Sequence, residues 1–458
     1  MLLFLQRFYE ALWGGPILVL LVGAGAYLTV CAGFPQLRLL PKAFALLKTS
    51  RRGEGVTAFQ ALCTALAATV GTGNIVGVAG AICLGGPGAI FWMWVCGFLG
   101  MGTKFAEVTL ARRYAVTRAG ERWGGPMYMI EGGLSSKFRF LAVLYCAFGL
   151  IAAFGVGNAT QINAVVGAFN SLRASWGGKE SLWGNLALGI ILAVGIGRVL
   201  SGGAGGIGKV VEKLVPWAAA GYVGLCLVVL LRCREAIPGA LRAILLGAWN
   251  PGAVTGGCIG AFFCSLRTGC ARGIFTNEAG MGTASMAYAG ADTGSPVELG
   301  MLGLIEVFVD TLVICTLTAL AVLISGVSVP YGKDQGAALA AQVFQKSCGG
   351  WAVGLLTVYL GIFAFATVLG WGLYGARCGQ FLFGPGFWKG FVWLQMAGVV
   401  LGAMLRTQTL WLLAEIFNGL MAIPNLVALL ALSPELSRLT REKSLQSGVA
   451  FDKIDTSR

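Results

Sequence analysis

Long apolar runs separated by short polar segments dominate the chain. Runs of about 17–25 apolar residues are typical of helices that cross a membrane. Such runs fall at residues 12–34, 57–80, 89–111, 141–170, 184–200, 214–231, 252–285, 299–325, 351–377, 389–405 and 409–432. The pattern predicts an all-α integral membrane protein with eleven transmembrane helices.

The second run contains a sequence that favours a break in its helix. The stretch from Val56 to Pro87 carries no charged residue, and Gly71-Thr72-Gly73-Asn74 lies near its centre. Glycine weakens a helix interior, and lipid cannot satisfy the backbone groups that a break releases. We therefore expect the freed groups to hold a small zwitterion and a cation. The alternative is a helix-packing face in which Gly73 and Gly77 form a GxxxG pair.

The seventh run predicts a second interrupted helix. It contains Arg267, Gly269, Arg272 and Gly273, and charged residues at membrane depth are functional candidates by default.

Arg272 and Glu278 are candidate gating residues in this segment. Glu278 could pair with Arg272 or close a gate. The alternative is that the helix ends near residue 274 and leaves Asn277 and Glu278 at the cytoplasmic surface.

The two interrupted runs are five spans apart. Because five is odd, the second unit enters the membrane from the opposite side. We expect two inverted five-helix repeats, 57–231 and 252–432, related by a two-fold axis in the membrane plane. Residues 1–56 would add an N-terminal helix and a cytoplasmic loop, and residues 433–458 a cytoplasmic tail.

The distribution of basic residues predicts the orientation. Segments that would face the cytoplasm with an outside N-terminus carry 21 Lys and Arg residues, against 9 on the other side. This excess favours an outside N-terminus and a cytoplasmic C-terminus. It also explains the net charge of +14 without nucleic acid as a partner.

Composition excludes several classes of enzyme. The chain has 57% hydrophobic residues and no histidine, so it contains no Ser-His-Asp triad and no His-ligated zinc. The 13 cysteines include no CxxC pair and are expected to be free thiols. Gly203-x4-Gly208-Lys209 resembles a phosphate-binding loop, but Val210 follows it, and a flexible cytoplasmic loop is the expected structure.

Ionisable pairs inside spans are expected to be structural or gating elements. Lys104 and Glu107 are three residues apart, and Glu306 and Asp310 are four apart, so each pair shares a helix face. A proton carrier normally needs a titratable group in its path. Because the Val56–Pro87 stretch has none, sodium is the expected coupling ion.

Several longer motifs resemble the sodium:alanine symporter family (alanine or glycine:cation symporters). These motifs are Thr69-Val70-Gly71-Thr72-Gly73-Asn74-Ile75-Val76-Gly77-Val78-Ala79, Gly85-Gly86-Pro87-Gly88-Ala89-Ile90-Phe91-Trp92-Met93-Trp94, Thr103-Lys104-Phe105-Ala106-Glu107, Gly125-Pro126-Met127-Tyr128, Gly157-Asn158-Ala159-Thr160-Gln161, Arg272-Gly273-Ile274-Phe275-Thr276-Asn277-Glu278-Ala279-Gly280-Met281-Gly282 and Glu306-Val307-Phe308-Val309-Asp310-Thr311. The resemblance runs from about residue 12 to 430.

The resemblance implies the five-plus-five inverted-repeat fold of the leucine transporter type, with two broken helices. It implies that the substrate is bound by Thr72, Gly73, Asn74, Gln161, Gly269, Gly273 and Trp371. It further implies a sodium site formed by Ala67, Val70, Ala364 and Thr367.

These features predict a sodium-coupled symporter that imports alanine, possibly glycine, by alternating access. We expect it to work as a monomer in the cell (inner) membrane, with sodium as coupling ion and no cofactor. The alternative is a passive channel or a ligand-sensing membrane protein on the same broken helices.

Overall fold

The structure is a computed structural model that describes residues 2–49, 56–118, 120–175, 177–257, 262–291, 295–405 and 408–446. Its regular structure is almost entirely helical. A single two-stranded antiparallel hairpin occurs in these residues, formed by β1 (Val116–Arg118) and β2 (Glu121–Trp123).

The described residues of the first half of the chain form twelve α-helices. Their bounds are α1 Leu2–Trp13, α2 Pro16–Cys31, α3 Pro35–Arg38, α4 Leu40–Thr49, α5 Ala58–Thr69, α6 Val78–Gly85, α7 Gly88–Arg113, α8 Pro126–Gly133, α9 Arg139–Phe154, α10 Thr160–Ser175, α11 Leu182–Ser201 and α12 Gly203–Arg232.

Eleven more α-helices occur in the part of the second half that the structure describes. Their bounds are α13 Ile237–Trp249, α14 Pro251–Thr255, α15 Phe262–Asn277, α16 Ser285–Ala289, α17 Pro296–Val307, α18 Thr316–Ile324, α19 Gly336–Cys348, α20 Gly350–Phe383, α21 Phe387–Met404, α22 Gln408–Ala431 and α23 Ser433–Gln446. Wider π-helical turns occupy Gly73–Gly77, Gly155–Ala159 and Phe308–Cys315, and short 3-10 helices occupy Ser136–Phe138 and Arg234–Ala236.

The fold is that of an integral membrane protein. Among the described residues, nine helices are long and apolar enough to cross a membrane, and the bent pair Ala58–Thr69 with Gly73–Gly85 makes ten. The exact count of eleven is therefore not confirmed. The seventh predicted span is divided among α14, α15 and α16, and α15 alone has only 16 residues.

The prediction of a flexible loop at residues 202–208 is wrong. Residues from Gly203 onward form the first turns of α12, a helix of 30 residues. The Gly206 N–H donates to the Gly202 carbonyl at 3.0 Å, so this segment is the first turn of a helix and not a phosphate-binding loop.

The second break lies later than the sequence predicts. Helix α15 continues without interruption through Gly269 and Gly273 and ends at Asn277. Both glycines face α7: a Cβ on Gly269 would clash with the Ala89 carbonyl, and one on Gly273 would lie 3.3 Å from the Cα of Met93. They allow two helices to approach closely, which is a common role of small residues in membrane proteins.

The bent pair formed by α5 and α6 lies at the centre of the fold. Helix α5 packs against α12 and α20, and α6 packs against α15 and α19. The hydrophobic core is divided near the bend, since Ala65 to Ala68 belong to one cluster and Val70 to Ile82 to another. The bend therefore lies where two packed regions meet.

Replacing Gly269 by alanine tests its packing role. We expect Gly269→Ala to lower the free energy of unfolding by about 1–3 kcal/mol, because the new methyl group overpacks the α7–α15 contact. Thermal melting of the purified protein in detergent measures this. Gly224→Ala is the matched control: Gly224 is also helical, and its Cβ would meet nothing within 4 Å. Equal melting temperatures for the two variants would contradict the assignment.

Candidate functional site

The first break lies between α5 and α6 and changes the direction of the chain inside the membrane span that these helices form. Helix α5 begins at a capping box formed by Thr57 and Gln60 and ends at Thr69. Val70 is extended, with φ −75° and ψ 102°. The chain then continues through the π-helical segment Gly73–Gly77 into α6, with a bend of 51° between the two halves.

Asn74 forms hydrogen bonds with a backbone group and with a side chain beside this break. Its Oδ1 accepts a hydrogen bond from the Gly71 N–H at 2.9 Å, and its Nδ2 donates to Asp310 Oδ1 at 2.6 Å. Both side chains are fully buried. Asn74 therefore holds the unwound backbone against the helix that carries Asp310.

The second break follows α15 and is held by a buried carboxylate. Glu107 on α7 accepts hydrogen bonds from the N–H groups of Gly280 and Gly282, at 2.8 and 2.9 Å, and from Asn425 Nδ2 at 2.8 Å. Asn425 also donates to the Gly280 carbonyl. Side chains from two other helices thus supply the partners that residues 278–284 lack within a helix.

Glu278 lies at the start of the second break and is only 3% exposed. Its φ of 52° is unusual for a residue with a side chain. Trp371 Nε1 donates to its Oε1 at 2.9 Å, and the Thr283 hydroxyl donates to its Oε2 at 2.6 Å. The alternative that placed Asn277 and Glu278 at the membrane surface is therefore wrong.

Arg272 does not pair with Glu278. Its guanidinium lies 3.3 Å from the Asp334 carboxylate, in an ion pair that is partly exposed. The expected Arg272–Glu278 contact is wrong because α15 continues past Arg272 and carries Glu278 into the interior.

Lys104 lies beside the second break in a buried ion-pair network. Its ammonium lies 3.3 Å from Glu306 and 4.0 Å from Glu107, and all three side chains are fully buried. It also donates to the Glu278 carbonyl at 3.4 Å. The expected Lys104–Glu107 pair is present, but the closer partner of Lys104 is on α17.

A cavity of about 20 Å³ lies between the two breaks. Its lining includes Thr72, Gly73, Gln161, Thr367, Trp371 and Glu278 among the residues expected from sequence, together with Ala68, Thr69, Gly71, Val156, Phe275 and Thr276. Asn74 faces Asp310 instead, and Gly269, Gly273 and Arg272 do not line the cavity. Both glycines face α7 instead, and their expected substrate role stays a prediction.

Two features that the sequence did not reveal shape this cavity. The π-helical turn Gly155–Ala159 precedes Gln161, whose Oε1 accepts a hydrogen bond from the Thr72 hydroxyl at 3.2 Å. Gly157 lies so close to Trp371 that any Cβ there would clash with the indole. The motif Gly157-Asn158-Ala159-Thr160-Gln161 was the available signal for both.

Residues expected to bind sodium lie at the end of α5 and on α20. The Thr367 hydroxyl donates to the Ala67 carbonyl at 3.0 Å, and Ala364 lies about one turn earlier on the same buried helix face. Val70 has left the helix, so carbonyls near the end of α5 lack helical partners. Carbonyl and hydroxyl oxygens of this kind suit a hard monovalent cation.

Comparison with a solved structure identifies the type of fold. The crystal structure of MhsT in complex with L-phenylalanine matches with a TM-score of 0.54 and 13% identity, over 86% of this chain and 100% of that chain. The chain therefore has a fold of the leucine transporter type, with broken helices at its centre.

Sequence comparisons define the family. Residues 2–449 match the model of the sodium:alanine symporter family. The sodium/alanine symporter AgcS of Methanococcus maripaludis is 42% identical over 92% of both chains. An uncharacterised transporter of Haemophilus influenzae is 41% identical over 94% of this chain and 93% of its own. The probable sodium/glutamine symporter GlnT of Bacillus subtilis is 36% identical over 97% and 91%.

The chain belongs to the sodium:alanine symporter family. It is thus a member of a family of sodium-coupled amino-acid symporters, as the motifs of the sequence predicted.

Removing the carboxylate of Glu107 tests the support of the second break. We expect Glu107→Ala to lower the free energy of unfolding by about 3–5 kcal/mol, because three donors and Lys104 lose a buried partner. Glu107→Gln keeps an acceptor oxygen and should lose less. Thermal melting in detergent measures both, and Glu212→Ala on α12 is the control. A Glu107→Ala protein as stable as this control would contradict the assignment.

Proposed function

We propose that the protein imports alanine or glycine together with sodium by alternating access between the two sides of the membrane. The observation that carries the proposal is the first break. It combines an unwound backbone beside the cavity with the Ala67–Thr367 contact between α5 and α20. One helix interruption thus offers N–H donors to an anionic group and carbonyl and hydroxyl oxygens to a cation.

In this proposal the amino acid binds in the cavity between the two breaks, which widens to accept it. Its carboxylate accepts from N–H groups around Thr72 and Gly73, at the start of the second half-helix. Gln161 and Trp371 enclose it, and Asn74 positions the unwound segment from behind. A cavity of about 20 Å³ has room for about one water molecule. Binding therefore requires the lining side chains to move apart, and bulky neighbours such as Trp371 favour the smallest amino acids.

Sodium binds in the proposal between the end of α5 and α20. The carbonyls of Ala67 and Val70, the carbonyl of Ala364 and the hydroxyl of Thr367 supply the oxygens. Each sodium ion that moves inward gains about 2.3 kcal/mol per 100 mV of membrane potential. This gain drives accumulation of the amino acid when both bind in the same inward step.

Alternating access is proposed to arise from the two inverted repeats, 57–231 and 252–432. The Arg272–Asp334 ion pair would close one side of the cavity, and Glu278 with Trp371 would close the cavity itself. The excess of basic residues supports an outside N-terminus and a cytoplasmic C-terminus in the inner membrane. The monomer is the proposed working unit, because each chain contains both breaks.

Sodium-driven accumulation separates this proposal from the passive channel. We expect proteoliposomes with an inward sodium gradient to concentrate labelled alanine above its external level, because the ion gradient supplies the free energy. Replacing external sodium with choline should stop uptake. Equilibration without accumulation, or uptake unchanged in choline, would contradict sodium symport. Competition by a panel of unlabelled amino acids then identifies the preferred substrate.

The hydroxyl of Thr367 can be tested with a control from the same helix. We expect Thr367→Val to raise the sodium concentration for half-maximal alanine uptake by about tenfold, the effect of losing about 1.4 kcal/mol of ligand energy. Thr357→Val is the matched control, since the Thr357 hydroxyl donates only to its own helix, to the Val353 carbonyl. Equal sodium dependence in the two variants would remove Thr367 from the ion site.

A further inference from the structure

Two cysteines meet where α12 and α19 end. Cys233 directly follows the last residue of α12, and Cys348 is the last residue of α19. Arg232 Nη1 donates to the Ser347 carbonyl at 2.5 Å, so a hydrogen bond joins the residues that directly precede the two cysteines. Cys348 belongs to a buried hydrophobic cluster, and Cys233 packs against the same cluster. The C-terminal ends of the two helices are therefore held together at this point.

The two thiols differ in exposure and in the charge beside them. Cys233 is partly exposed and lines an open surface cavity of about 410 Å³. Cys348 is 6% exposed, and burial raises the pKa of its thiol, whereas the neighbouring Arg232 guanidinium opposes that shift. Cys233 contributes to the same shift, because its thiol lies near that of Cys348. One thiol is thus open to a reagent from solvent, and the other has a cation beside it that favours its thiolate.

The proposed orientation puts this pair of cysteines on the outer side of the membrane. Successive spans alternate in direction, so the sixth predicted span, 214–231, runs outward from the cytoplasm when the N-terminus is outside. This span lies within α12, and Cys233 follows its outer end. Cys348 lies on the same side, because Ser347 contacts Arg232. Paired thiols outside the cytoplasm form lasting disulfides, whereas cytoplasmic thiols stay reduced.

We propose that a disulfide bond joins Cys233 to Cys348 and fastens the end of α19 to α12. The inference rests on the orientation given in the proposed function and adds a covalent modification to it. The oxidant is a disulfide-bearing molecule outside the membrane. The exposed Cys233 attacks it and releases one thiol, and the Cys348 thiolate then attacks Cys233 Sγ and releases the second. One S–S bond breaks in the oxidant, one forms in the protein, and the two cysteine protons end on the released thiols.

The bond fixes one end of a segment whose other end covers the first broken span. At that other end the Gly332 N–H donates to the Cys83 carbonyl of α6 at 2.9 Å, and Asp334 pairs with Arg272 in a partly exposed ion pair. These contacts are non-covalent and can separate, whereas a disulfide cannot. Opening toward the outer side therefore moves the Asp334 end away from Arg272 while Cys348 stays against α12.

The first test determines which thiols are oxidised in the protein as cells make it. Cells are dissolved in SDS with a maleimide that caps free thiols, and the full chain is then reduced and treated with an isotopically heavier maleimide. We expect Cys233 and Cys348 to carry the heavy label and Cys226 to carry the light one. A digest made without reductant should contain one linked peptide pair with Cys233 and Cys348. Light label on both of these cysteines would overturn the inference.

A second measurement separates the disulfide from the proposed orientation. After intact cells are treated with a reductant, a membrane-impermeant maleimide should label Cys233 from outside, because this cysteine lines an open cavity. Without the reductant it should not. Labelling of Cys233 only in inside-out vesicles would overturn the proposed orientation and the inference with it. Labelling from outside without any reductant would overturn the disulfide alone.

Three variants assign the bond by its effect on thermal melting in detergent. We expect a reductant to lower the melting temperature of the unaltered protein by about 5 °C, because it removes a cross-link that closes a long loop. Cys233→Ser and Cys348→Ser should melt lower without reductant and show no further shift with it. Cys226→Ser is the matched control and should keep the full shift, because Cys226 also lies near Cys348 but is fully buried within α12. A reductant shift that persists in Cys233→Ser would contradict the pairing.

Discussion

Backbone groups inside a membrane must find partners within the protein, and this constraint organises the whole structure. A continuous helix satisfies them locally. Here two helices stop in the interior, and each stop is supported by buried side chains. Asn74 and Asp310 support the first, and Glu107 with Asn425 supports the second. The groups that remain beside the cavity are those a small charged ligand and a cation can use.

The two supports are themselves connected. Asp310 and Glu306 lie one turn apart, Glu306 contacts Lys104, and Lys104 and Glu107 lie on one face of α7. A polar network therefore runs through the interior from one break to the other. Buried polar networks are costly when partly satisfied and rigid when complete. In this network Asp310 holds the first break, and Glu107 with Asn425 holds the second.

Much of this arrangement could be predicted from the sequence. The length of the apolar runs predicts a helical membrane protein, and Gly71-Thr72-Gly73-Asn74 marks the first break, because glycines without charge stand in the middle of a span. The second break was misplaced, because Gly269 and Gly273 show the same composition but serve contact with α7. Local sequence does not distinguish a glycine that unwinds a helix from one that lets two helices approach. The partners of Glu278 come from residues 5 and 93 positions away, so their contact depends on the tertiary fold.

The most direct test of the central claim is an experimental structure determined with saturating alanine and sodium. The account predicts that residues 58–85 remain bent near Val70–Thr72. It predicts density for the amino acid within hydrogen-bonding distance of the Thr72 and Gly73 N–H groups, and density for a cation beside the Ala67 carbonyl and the Thr367 hydroxyl. A straight helix over residues 58–85, or ligand density at a site remote from both breaks, would contradict it.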